Sequence, residues 1–129
     1  MSGKVVHFEI PADDVQRAEA FYRTVFGWQT SSMPGMGYTL VTTTPMGENG
    51  MPAEPGAING GMFQRVDAIP GPVVVMEVDD IDASLGVVEA NGGSTVRPKE
   101  PVGDMGWAAY FRDPEGNVLG MWQAAPGGG

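Results

Sequence analysis

Cysteine is absent from this 129-residue chain. That excludes a disulfide framework, a thiol nucleophile and a thiolate metal centre. Cations are scarce as well: seven Lys and Arg stand singly against sixteen Asp and Glu, a formal charge of −9. No basic cluster is available to track phosphates, so no nucleic acid partner is expected. No apolar run nears the roughly 20 residues that span a bilayer, so no membrane partner is expected either. The opening Met1-Ser2-Gly3-Lys4 has neither the basic segment nor the apolar stretch of a signal peptide, and the expected location is cytoplasmic. Histidine occurs once, as His7.

What is present is ordinary for a globular chain: 42% hydrophobic and 18% charged residues, enough for one domain with a real core. The β-branched and aromatic segment Lys4–Ile10 reads as a strand. Asp13 or Asp14 then caps a helix whose apolar residues Ala18, Phe21, Tyr22, Val25 and Phe26 recur at helical spacing. Gly27 sits where the helix needs a positive φ. Strands are expected at Trp28–Ser32, Tyr38–Thr43 and Ile58–Gln64, with a long Pro- and Gly-rich loop from Thr44 to Gly56.

The pattern then repeats. Val73–Val78 reads as a strand, Asp79 or Asp80 caps a helix carrying Ile81, Leu85 and Val88, and Asn91-Gly92-Gly93 ends it. Three strands follow at Ser94–Lys99, Gly106–Arg112 and Asn117–Gln123, the last two joined by the turn Asp113-Pro114-Glu115-Gly116. Gly60-Gly61-Met62-Phe63-Gln64 closes the first half, and Leu119-Gly120-Met121-Trp122-Gln123 closes the second. The fold class is therefore α+β: two βαβββ modules forming a curved, barrel-like mixed sheet with a central cavity. Module one spans 4–64, a linker 65–71, module two 72–123, and 124–129 is expected to be a disordered tail.

The repeated βαβββ order, His7 six residues before Asp13, the segment Ala20-Phe21-Tyr22 and the run Phe111-Arg112-Asp113-Pro114-Glu115-Gly116-Asn117 resemble the vicinal oxygen chelate superfamily. That superfamily includes glyoxalase I, bleomycin resistance proteins and extradiol dioxygenases. The resemblance covers residues 4 to 123 and is similar in particular to small bacterial glyoxalase-like proteins. It implies that metal ligands, where present, come from the first and last strands of each module. His7 matches the first such position. The remaining three fall on Val73, Gly61 and Gly120, which carry no donor atom. No family-type metal is expected, and the alternative is a single divalent ion at His7, Glu9 and Glu77.

Strand alternation puts Glu9 on the face of His7, and Glu77 on the face of Val73. His7, Glu9 and Glu77 are thus the candidate acid–base groups. Gly61 and Gly120 would open space in a cavity floor. Asn59, Phe63, Val118 and Trp122 alternate onto that face, and with Trp28, Tyr38, Trp107 and Tyr110 they would wall a pocket for a flat, partly apolar molecule. Met33, Met36, Met46 and Met51 lie in loops, where methionine suits an adaptable lid. Arg97-Pro98-Lys99-Glu100-Pro101 reads as an edge strand and turn.

The residues are compatible with three functions. The first is binding of a small, partly apolar or aromatic ligand without a family-type metal. The second is a lyase or isomerase that abstracts a proton next to a carbonyl with His7 or a cavity Glu as base, not a true lactoylglutathione lyase. The third is a module acting through a protein partner. The resemblance also implies a homodimer.

Overall fold

The computed structural model describes residues 3–48 and 52–126. Within them the chain forms β1 (Val5–Ala12), α1 (Val15–Phe26), β2 (Gln29–Met33), β3 (Tyr38–Thr42) and β4 (Asn59–Gln64), then β5 (Val73–Glu77), α2 (Ile81–Ala90), β6 (Ser94–Val102), β7 (Gly106–Arg112) and β8 (Val118–Ala124). This is α+β with the expected βαβββ order twice. The second Asp of each pair is the cap. Asp14 accepts from Arg17 N at 3.0 Å and Asp80 from Ala83 N at 3.1 Å, each occupying a donor that the first helical turn leaves free. Gly27 ends α1 at φ 74°, the left-handed conformation that its lack of a Cβ allows.

The chain divides into two units, residues 7–72 and residues 3–6 with 73–126. In the first, the strands bond in the order β2-β3-β4-β1, with β1 and β4 parallel and the other pairs antiparallel. In the second the order is β5-β8-β7-β6, with β5 and β8 parallel. The boundaries differ from expectation at the start. Gly3 N donates to Glu77 O at 2.7 Å and Glu77 N to Lys4 O at 2.9 Å, so residues 3–6 go with the second module.

The linker is tied down by its own side chains. Arg65 pairs with Asp13 at 2.9 Å and bonds Pro70 O, while Ile69 is 1% exposed. The chain end also differs: Ala124 belongs to β8 and Ala125 N donates to Met105 O at 3.0 Å, while residues 127–129 lie outside the described set. β6 runs on through Pro101, with register shifts at Thr95/Arg97 and Arg97/Glu100, and the turn falls only after Val102. It is the edge strand, where proline costs no ladder bond.

Both closing glutamines lock their last strand to their own helix entry. Gln64 Nε2 donates to Asp13 O at 2.8 Å, and Gln123 Oε1 accepts from Ile81 N at 2.9 Å. The helices then pack differently. In the second unit Ile81 and Leu85 are buried against Ala109, Phe111 and Met121. No residue of α1 is buried, and Phe21, Val25 and Phe26 are exposed.

Candidate functional site

Parity along each strand decides which side chains can share a site. On β1, His7, Glu9 and Pro11 alternate with Phe8 and Ile10. The register sets His7 beside Asn59, Glu9 beside Gly61, Gly61 beside Leu40 and Phe63 beside Tyr38. These residues occupy the helix-free face of the first unit.

Three of them form a hydrogen-bonded chain. Tyr38 Oη donates to Glu9 Oε2 at 2.8 Å and lies 2.8 Å from His7 Nε2. Glu9 is 7% exposed, so its carboxylate has left water and needs such a donor. Burial alone pushes the His7 imidazole down from 6.5 to about 4, because a charged ring would lose its hydration there. His7 is thus neutral at pH 7.

Gly61 makes the chain possible. A Cβ built on Gly61 would lie 1.9 Å from Tyr38 Oη and 2.1 Å from its Cζ. The phenol therefore fills the volume that any side chain at this position would enter. Phe63 flanks it, with ring centroids 6.3 Å apart. On the other face Phe8 does the same over Gly60, where a Cβ would meet its ring at 2.7 Å.

Two expected wall residues have other duties. Trp28 stacks on Tyr22 at 4.7 Å and 10°, and contacts Phe8 and Phe26, so it packs α1 to the face opposite His7. Asn59 spends its amide on the loop. Its Oδ1 accepts from Thr43 N at 2.7 Å and Thr44 N at 3.0 Å, and its Nδ2 donates to Thr44 O and to the Met46 sulfur. That leaves the start of the 43–58 loop pinned, with a bridge between Met46 and Pro52. Met46 is exposed, as is Met36; Met33 ends β2, and Met51 lies outside the described residues.

The second unit carries the remaining candidates. Val75 and Tyr110 flank Gly120 in register, and Glu77 stands beside Trp122. A Cβ on Gly120 would meet Val75 Cγ2 at 3.1 Å, Val73 Cγ1 at 3.5 Å and the Ala109 carbonyl oxygen at 3.6 Å, so the nearest side chains at this position are valines. Val73 is 1% exposed. Trp107 does not join Tyr110. It alternates with it, packs with Ala109 and Phe111 toward α2, and has Lys99 Nζ 4.7 Å above its ring. Lys99 in turn reaches Asp82 of α2 at 3.8 Å.

Val73, Gly61 and Gly120 supply no ligand, and His7 Nε2 faces a phenol. Among the described residues no three of His, Cys, Asp or Glu converge. Of the described grooves, one of about 310 Å3 runs beside α1 past Val15, Glu19, Thr39 and Met62, and another of about 360 Å3 past Arg17 and Phe21. Neither is lined by His7, Glu9 or Gly61, although Tyr38 borders the first. No described helix is long and apolar enough to cross a membrane.

Residues 4–44 match the family described as bleomycin resistance protein-like N-terminal. The chain is 33% identical over 123 residues to a glyoxylase-like domain-containing protein of Didymella fabae, covering 92% of this chain and 91% of that one. It is 32% identical over 123 residues to relatives from Mycobacterium bovis and Mycobacterium tuberculosis that carry the glyoxylase name, and spans 44% of their length. Among solved structures it resembles a Streptomyces coelicolor methylmalonyl-CoA epimerase variant in complex with 2-nitronate-propionyl-CoA. The TM-score is 0.65 at 16% identity, covering 97% of this chain and 99% of that chain, a likeness of fold.

Proposed function

The chain belongs to the glyoxylase-like domain family of the vicinal oxygen chelate superfamily, and from that premise we propose that it binds a small, partly apolar or aromatic molecule without a family-type divalent metal. The observation that carries this reading is the phenol over Gly61. Tyr38 occupies the volume where a ligating side chain would enter and engages both His7 and Glu9. The polar chain then serves as a preset hydrogen-bonding anchor beside Phe63 and Leu40, the combination that small-molecule sites use for orientation and affinity. Calorimetric titration with a panel of aromatic compounds, before and after chelation, tests the proposal. Binding unchanged by chelation supports it; binding that requires an added divalent ion refutes it.

The alternative is a lyase or isomerase that takes a proton next to a carbonyl. Its strength is the buried Glu9 carboxylate held by Tyr38. His7 serves it poorly, since a ring titrating near 4 is a weak base at neutral pH. In this reading Glu9 is the base and the Tyr38 hydroxyl the electrophilic donor. Turnover lost in Glu9→Gln but kept in His7→Gln would favour it.

A further inference from the structure

The order of donors along the polar chain dictates where its protons sit. The Tyr38 hydroxyl has one proton and gives it to Glu9 Oε2. Its oxygen therefore turns lone pairs toward His7 Nε2, 2.8 Å away. Two acceptors at that distance would repel, so Nε2 carries a proton and donates it. Burial keeps the ring neutral near pH 7, so it has that one proton and no other. Nδ1 is left with an open lone pair, and no described residue bonds it. The reverse order, with Glu9 protonated and Tyr38 donating to Nε2, would place the ring proton on Nδ1 instead.

We infer that Tyr38 is the positioning residue of this site: it fixes the His7 ring as the Nε2–H tautomer, so that Nδ1 offers an acceptor to a ligand bearing a neutral O–H or N–H donor. The ligand half of this inference rests on the binding reading above; the tautomer half does not. The same geometry disfavours carboxylates. Glu9 already holds the one buried carboxyl on this face among the described residues. The first module's arginines are engaged elsewhere or on the helix: Arg65 with Asp13, Arg23 with Thr30, Arg17 on α1. An anion here would meet the Nδ1 lone pair and the Glu9 carboxyl, both of which repel negative charge.

His7 is the chain's single histidine, so its ring is resolved without assignment by nitrogen-15 NMR of the whole protein. The expected spectrum has a slowly exchanging proton on Nε2 and an unprotonated Nδ1. In Tyr38→Phe, which keeps the ring over Gly61, that proton should lose its protection. A proton on Nδ1 of the unmutated protein overturns the inference, as does an Nε2 proton equally protected in the variant. The ligand half is tested with p-cresol against p-toluate, which share a ring and differ in hydroxyl and carboxylate. p-Cresol should bind roughly tenfold or more tightly and shift Nδ1. Equal or tighter binding of p-toluate overturns the donor preference. Binding of neither retires the ligand-binding reading, while the tautomer stands or falls on the spectra alone.

Discussion

Gly61 and Gly120 hold matching places on the last strand of their modules, each on the helix-free face, yet their surroundings have diverged. Over Gly61 lies a phenol bonded to a histidine and a carboxylate; the side chains nearest Gly120 are Val75 and Val73. The helices diverged the other way. α2 buries Ile81 and Leu85, while α1 buries nothing. Both units bury apolar side chains, Val41, Met62 and Ile69 in the first and Val73, Ile81 and Ala109 in the second, but the first adds a hydrogen-bonded polar chain on its helix-free face. The two modules share one frame, and the side chains set around one register decide which of them carries the polar chain.

The sharpest way to break this comparison is to place a methyl group at both glycines. Gly61→Ala forces Tyr38 off His7 and Glu9, stranding a buried carboxyl, and should cost about 3 kcal/mol by chemical denaturation. Adding Tyr38→Ala should recover part of that loss, because the clash disappears. The same methyl group at Gly120 needs Val75 to yield by only a few tenths of an ångström.

Acid should act through the first module next. The folded pKa of His7 is depressed from 6.5 to about 4, so its contribution is complete above pH 6.5. Below that the unfolded chain binds a proton that the folded chain refuses, and stability falls until about pH 4. The loss across that window is on the order of 2–3 kcal/mol. Denaturation midpoints of His7→Gln should lack this component; an identical pH profile in the variant would remove His7 as its source.

The β3–β4 and β7–β8 connections give a milder contrast. Asn59 accepts from Thr43 N and Thr44 N and donates to Thr44 O, whereas Asp113 caps a short turn in solvent by accepting from Glu115 N and Asn117 N. The Asn117 side-chain amide, which donates to Asp113 Oδ2 at 3.0 Å, holds the exposed Asp113 carboxyl below its usual range together with those backbone bonds. Asn59→Ala should cost about 2 kcal/mol and raise amide exchange across residues 43–48. Gly120→Ala should come last, at about 1 kcal/mol or less.

Much of the frame was legible in the residues themselves. The Asp pairs marked both helix starts, Gly27 a left-handed end, and the closing Gly-Met-aromatic-Gln motif both last strands, because caps and alternation are local effects. The site was legible in part. His7, Glu9, Tyr38 and Gly61 were each identifiable, but their union was not, since a phenol reaching from β3 across Gly61 toward β1 depends on register between distant strands. Trp28 and Trp107 were misplaced for a simpler reason. Strand parity sets Trp107 with Ala109 and Phe111, opposite Tyr110, whereas Trp28 and Trp107 join the expected pocket wall without a parity argument. Asn59 faces the right way, yet the loop beside it consumes its amide, a demand visible only once the backbone of Thr43 and Thr44 is in place.

The central claim is that the first module's donors are committed to one another and not to a divalent ion. Metal analysis of the purified protein, followed by thermal melts after chelation and after adding zinc, nickel, manganese or iron(II), tests it most directly. The account predicts no stoichiometric metal and no shift in Tm with any of the four. One ion per chain with a clear rise in Tm that His7→Gln abolishes would contradict it.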